Sequence, residues 1–339
     1  MKRINENALT FLLFAAIGTL CAFSRSAKAG ASEGIRLCEE VIIPSLLPIL
    51  IISTLIINSK AETALEKLFG TVFEKMLRLP RASAGAIILG MICGYPSGAV
   101  LTCRLYEKGL IEENEAERIM HFNLCGGFAF IITAVGTVVY GNTKTGVILL
   151  LINILSAVII MLFDSVGKKK PLELKSSRNY AHITEALPEA VETSVKAILT
   201  MSAYIILFSA FSSIISIPSF LMPIIEITNG VCNNELPLEY CAFFLSFGGL
   251  CVHLQLFGFL KKMKIKYVKF LVYRIVAGLL SFGIAKLYIA AFPQSEEVFS
   301  NISSPIHEFS SGGIALSMIM IIGCAVVVLD IENRKLKLI

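Results

Sequence analysis

Apolar runs of about 20 residues follow one another along this chain, and a helix of about that length crosses a bilayer core of roughly 30 Å. The runs fall at 9–23, 43–57, 120–140, 146–163, 197–217, 272–291 and 312–329. Two further apolar stretches, 84–103 and 240–260, are broken by glycine. No soluble core hides this much apolar surface. With 55% hydrophobic residues, no Trp and a mean hydropathy of +0.77, the chain is expected to be an all-α polytopic membrane protein.

The formal charge of +5 is concentrated between the apolar runs. It suits anionic lipid headgroups, so the bilayer is an expected partner and nucleic acid is not. Nine cysteines occur without a C-x-x-C pair. Cys21, Cys93, Cys103, Cys125, Cys241, Cys251 and Cys324 sit in or beside apolar segments and read as small hydrophobes, so no metal or other cofactor is expected. Lys2 and Arg3, an apolar run and then "SRSAKAGAS" have the shape of a cleaved signal peptide. Because the other runs already commit the chain to a membrane, residues 1–30 are read as a retained first helix.

A shift of 154 residues lays "CGYPSGAVLTCRLYEKGLI" on "GGLCVHLQLFGFLKKMKI", Gly94 on Gly248 and Lys108 on Lys262. Each half then reads as span, surface helix, broken stretch, basic loop, span, span, which divides the chain into 31–180 and 181–339. Repeats of this kind mark many secondary transporters. In the first half, Leu65, Leu68, Phe69, Val72, Phe73, Met76 and Leu77 form one apolar face, with Glu66, Lys67, Glu74, Lys75 and Arg78 opposite. That pattern predicts a helix lying in the headgroup plane, or an ordinary packing helix. Its second-half counterpart, "SFLMPIIEITNG", carries Pro223 and is a doubtful helix.

Gly94, Tyr95, Pro96, Ser97 and Gly98 interrupt an apolar stretch at its middle. Gly admits positive φ and Pro lacks an amide donor, so a helix ends there. Bare backbone cannot face lipid tails, so such a tip must be covered by protein or line a wet cavity. About ten residues on each side suit a re-entrant helical hairpin that brings a half-helix N-terminus to mid-membrane; a Gly/Pro-kinked full span is the alternative. Asn123, Cys125, Gly126 and Gly127 form a second break. Asn123 there is either a ligand contact or a bond to a neighbouring helix. Gly248 and Gly249 mark the tip of a second expected hairpin near 240–260, followed by His253 and Gln255. His253 is either a carboxylate or proton carrier or a satisfied packing residue.

No Asp or Glu lies inside either broken stretch or in 120–140. No Walker loop, H-E-x-x-H motif or Ser-His-Asp set occurs, so an enzyme is not expected. Opposed half-helix N-termini favour a small anionic substrate.

"EVIIPSLLPILIISTLI", "GMICGYPSGAVLTCRLYEKGLIEENEAERIMHFNLCGGFAFII" and "GGLCVHLQ" together resemble the sporulation integral membrane protein YlbJ family. That family belongs to the nucleoside-recognition, or Gate-domain, superfamily, related to concentrative nucleoside transporters. The resemblance covers roughly residues 30–330. Where family members carry an Asn-Asn-x-x-x-Pro-like break, this chain has Asn123-Leu124-Cys125-Gly126-Gly127, keeping one Asn and lacking the Pro. The resemblance implies a nucleoside-transporter-like inverted repeat and a cell membrane location, in an endospore former the outer forespore membrane. It implies transport of dipicolinate into the forespore. A small planar dianion agrees with the helix-terminus argument, and a homo-oligomer is compatible with it. The alternatives are a non-transporting assembly protein of the spore envelope and a nucleoside-type transporter. The missing hairpin carboxylates weigh against the last.

Two re-entrant hairpins give each half three crossings and so invert the halves. A cytoplasmic Lys2-Arg3 then puts 59–83, 104–119 and 164–180 inside, as the positive-inside rule asks. The same scheme puts Lys261, Lys262, Lys264, Lys266 and Lys269 outside, against that rule. Letting 240–260 span fully repairs the charges but destroys the inverted symmetry. The inverted arrangement, with the C-terminus outside, is the expectation.

Overall fold

The computed structural model describes residues 6–171, 182–215, 220–232, 236–260, 263 and 265–292, and the regular structure among them is helical. The expected span 312–329 lies outside the described residues. Helix α1 is Glu6–Ala22. Helix α2 is a 35-residue run, Ser24–Asn58, so it begins ahead of the expected boundary at residue 30. Segment α3 covers 62–77 and ends at Arg78, which takes a left-handed φ of 52°. Of its expected apolar face, Leu68, Val72 and Met76 are exposed and Leu77 is buried.

Next come α4 (Ser83–Cys93), α5 (Ser97–Glu107), α6 (Glu113–Phe122), α7 (Phe130–Val139) and α8 (Thr143–Ser165). The rest are α9 (Ile183–Ile215), α10 (Met222–Ile225), α11 (Ile227–Cys232), α12 (Leu238–Phe247), α13 (Gly249–Phe259) and α14 (Tyr267–Ala291). Among the described residues, five stretches are long and apolar enough to cross a membrane: α2, α8, Ile183–Ile214 within α9, Leu238–Phe259 and α14. The expected single span at 120–140 is corrected. Helix α6 stops at Phe122 and α7 starts at Phe130, because Gly126 and Gly127 supply no side chain to hold a helical turn.

Helices α4 and α5 pack against one another. Both outer ends of this pair lie by the C-terminal end of α2. Lys108, just past α5, donates from Nζ to the Ile57 carbonyl at 3.1 Å. Gly85, at the start of α4, lies so close to Ile57 that an added Cβ would sit 2.8 Å from its Cδ1. The chain therefore doubles back at Gly94, where φ is +78°.

The second broken stretch behaves differently, and the expected hairpin at 240–260 is corrected. Glu239, at the start of α12, pairs with Lys286 near the end of α14 at 2.9 Å. Phe257, at the end of α13, packs edge-on to Tyr267 and Phe270 at the start of α14. Leu238–Phe259 thus runs antiparallel along α14 as one 22-residue stretch, bent at Gly248 and Gly249 (φ +90° and +69°). A glycine break in an apolar run looks the same in sequence whether the chain turns back or passes through; neighbours decide. The 154-residue register therefore pairs unlike elements.

Charges agree. Lys269 lies 3.3 Å from Glu117, Lys170 lies 3.9 Å from Glu74, and Tyr273 donates to Asp164 at 3.1 Å. The basic segments around 74–81, 104–118, 168–170 and 266–269 share one end of the bundle, called the basic face below. The expectation that Lys269 lies on the opposite side is overturned. Lys261, Lys262 and Lys264 are outside the described residues.

Candidate functional site

The Gly94–Gly98 tip is fixed by close backbone contact with the Asn123–Gly127 break. The Tyr95 amide donates to the Cys125 carbonyl at 2.9 Å. A Cβ on Gly94 would lie 2.0 Å from the Gly127 nitrogen, and one on Gly98 would lie 2.0 Å from the Asn123 carbonyl oxygen. Only glycine permits this approach. Asn123 is fully buried; its Nδ2 donates to the Ala86 carbonyl at 2.9 Å, and its Oδ1 has no partner. The Gly98 amide donates to Gly94 at 3.2 Å and is thereby occupied.

The break leaves carbonyls that no helical amide reaches, and Arg274 of α14 takes them. Its guanidinium donates to Leu124 O at 2.5 Å, to Ser246 O at 3.2 Å and to His121 O. Arg274 is 3% exposed, and its Nε–H has no partner. A cation over helix C-terminal carbonyls is favourable. Ser246 belongs to the last turn of α12, so one side chain ties the first break to the second.

Gly248 stands beside the first tip: a Cβ there would be 3.9 Å from Cε1 of Tyr95. The buried Tyr95 ring, Gly127, Phe130, Ile42, Leu46, Met201 and Thr228 line one narrow cleft with room for about one water molecule. The Tyr95 hydroxyl has no partner. Pro96 precedes the first turn of α5, and Ser97, its first residue, is buried. Cys125 is buried, with Sγ 3.8 Å from the Phe122 carbonyl.

His253 and Gln255 do not line the cleft. His253 Nε2–H donates to the Phe247 carbonyl at 2.9 Å, leaving Nδ1 to accept from the Tyr267 hydroxyl at 3.4 Å. The ring packs among Phe247, Tyr267 and Phe270. Gln255 Nε2 donates to Cys251 Sγ at 3.2 Å. The packing alternative for His253 describes its surroundings.

Two buried charges at the site escape a reading of the broken stretches alone. Arg274 stands in an apolar run, where a lone Arg is the available signal. Glu226 lies between α10 and α11, 1% exposed, and its carboxylate accepts from the amides of Thr228 at 2.9 Å and Asn229 at 2.6 Å. It caps α11 and holds Thr228 at the cleft. The sequence contains it in "PIIEITNG", a segment read only as a doubtful surface helix.

No family model and no solved structure matches the chain. The chain is similar to the sporulation integral membrane protein YlbJ of Bacillus subtilis (strain 168), 25% identical across 82% of this chain and 81% of that protein. That likeness supports the family resemblance and is consistent with a sporulation membrane role. With the five long apolar helices, it marks a multi-pass membrane protein.

Proposed function

We propose that this protein moves a small organic anion, dipicolinate, across a membrane of the sporulating cell, the outer forespore membrane in particular. The observation that carries this reading is that the Gly94–Gly98 tip and the Asn123–Gly127 break meet, with Tyr95 of the one and Gly127 of the other lining one cleft and Gly248 beside the Tyr95 ring. Irregular backbone at membrane depth is tolerated where it is buried in protein or lines a cavity. The start of α5 at Ser97 and the helical turn after Gly127 bring two N-terminal ends to the cleft, which suits two carboxylates. The Tyr95 hydroxyl, which has no partner, supplies a further donor. The cleft is closed around about a single water volume, so a ring dianion requires a widened state.

In this reading α4–α5 is a re-entrant hairpin from the basic face, and α6–α7 and α12–α13 are broken crossings of opposite direction. The inverted repeat then pairs α2, α4–α5, α6–α7 and α8 with α9, α10–α11, α12–α13 and α14. The basic face is cytoplasmic, which also satisfies the positive-inside rule. A nucleoside-type substrate is the second reading, and Glu226 favours it. The fold brings a buried carboxylate to the cleft edge even though neither broken stretch contains one.

The test is uptake of labelled dipicolinate by proteoliposomes made with the purified chain. Uptake should fall in Ser97→Ala and Asn123→Ala variants that still insert. A spore-envelope assembly protein gives no uptake in the parent, and labelled nucleoside entering instead selects the second reading.

A further inference from the structure

We propose that the seam between α2, α5 and α9 is the anion's path from the Tyr95 cleft to the basic face, shut in this structure by Arg104 and Glu189; this rests on the reading of that cleft as the substrate site. Helix α2 carries one stripe at four-residue steps: Ile42 and Leu46 at the cleft, then Leu50, Thr54 and Asn58. At its far end Arg104 of α5 donates to Asn58 Oδ1 at 3.0 Å, to Glu189 at 2.7 Å and to Thr193 on α9. Lys108 Nζ reaches Asn58 Oδ1 at 3.5 Å. The Glu189 side chain is 53% exposed and that of Arg104 16%, so this cluster is the seam's watery end.

Between that end and the cleft lie buried polar atoms without partners. Thr54 Oγ1, Asn58 Nδ2 and Ser194 Oγ make no hydrogen bond, although Thr54 and Ser194 are fully buried. Ser194 is adjacent to Thr193 and two turns from Met201 of the cleft, on the same face of α9. Buried polar groups normally have partners. Three orphans on facing helices, all able to donate, mark a strip that water or an anion satisfies when the seam parts. Arg104 and Lys108 stand at its mouth beside the carboxylates of Glu189 and the buried Glu62, so the guanidinium is free to meet an anion only when it parts from Glu189. Separating Arg104 from Glu189 opens the mouth without breaking a helix.

The test uses Thr54→Cys and Ser194→Cys in the full-length chain in proteoliposomes. Each is treated with an anionic sulfonate and a cationic trimethylammonium methanethiosulfonate. Modification of each site is read by mass spectrometry, and rates are normalised to a free thiol. Ile52→Cys, on the exposed side of the same helix, is the lipid-facing control. Both seam positions should react while Ile52→Cys stays silent. The anionic reagent should be faster by about tenfold, the low end expected of a cleft whose charge is opposite to the reagent's. Arg104→Gln should remove that preference. Silence at both seam positions, while Glu189→Cys reacts, overturns the path. Equal rates for the two reagents overturn the anion preference and with it the proposal. A reactive, anion-selective seam in a chain that takes up no dipicolinate leaves the path standing and refutes the transport reading.

Discussion

Removing the Arg274 guanidinium tests what holds the two breaks together. In Arg274→Met the carbonyls of His121, Leu124 and Ser246 lose their donor. Hydrogen bonds to charged groups contribute about 1.5–3 kcal/mol each in water-soluble proteins. Side-chain bonds inside membranes average nearer 0.6 kcal/mol, so three bonds sum to between roughly 2 and 9 kcal/mol. Against this, burying a guanidinium costs several kcal/mol, which methionine avoids. The break decides the balance: with 123–127 non-helical, the Leu124 carbonyl has no helical amide to turn to. A net loss of about 3 kcal/mol follows, or about 4 °C in melting temperature at roughly 2.1 cal/mol/K per residue. The assay is thermal unfolding of the detergent-solubilised protein at one fixed scan rate. Arg274→Lys should recover only part of the loss, because an ammonium cannot fork across separate carbonyls as a guanidinium does. A methionine variant as stable as the parent refutes the reasoning; desolvation then outweighs the bonds, and something else fixes the break.

Tyr95→Phe removes a hydroxyl that has no partner, so the melting temperature should stay within about 1 °C of the parent. Dipicolinate uptake should fall about tenfold, the size of one lost bond to a carboxylate; unchanged uptake removes Tyr95 from the site. Gly98→Ala puts a Cβ 2.0 Å from the Asn123 carbonyl and should abolish stable insertion, read as loss of the monodisperse peak in detergent. Gly109→Ala, at a positive φ that helical Gly98 does not share but with open space around its Cβ, should insert with only the backbone strain to bear. The Arg81 guanidinium beside Glu74 holds that carboxyl below its ordinary value of 4.5. The pair's contribution is therefore present above that pH and lost as the pH falls through the lowered value. Glu74→Gln should lower the melting temperature slightly at pH 7 and by progressively less as the pH is taken down through the lowered value; an equal drop throughout refutes the ionic contribution.

Much of the architecture is legible in the pattern of apolar runs, because lipid leaves few alternatives to helices. The tip at Gly94–Gly98 is equally legible, since Gly94 and Pro96 in the middle of an apolar run end a helix. The direction of the chain after a glycine is not. Gly94 and Gly248 look alike in sequence, but α4 turns back onto α5 while α12 and α13 both lie along α14. Basic residues carried the missing information: the positive-inside rule pointed to a crossing at 240–260, and Lys269 beside Glu117 agrees with it. At the site, residues that meet through the backbone, such as Gly94 and Gly127, could be named from their conformational freedom. Arg274 acts from a helix with no local break, and its importance depends on carbonyls that only the fold brings within reach; Glu226 caps its own helix locally, and only the fold shows that this helix lies at the cleft. His253 drew attention as a polar residue in an apolar stretch, yet a backbone carbonyl and a tyrosine hydroxyl occupy its ring nitrogens.

The most direct measurement of the central claim is a structure of the protein solved with dipicolinate. The ligand should lie in a widened cleft between Tyr95, Gly127 and Thr228, one carboxylate at the start of α5 and the other at the turn after Gly127. Ligand density more than about 11 Å, two helical turns, from both Gly94–Gly98 and Gly248 would contradict it.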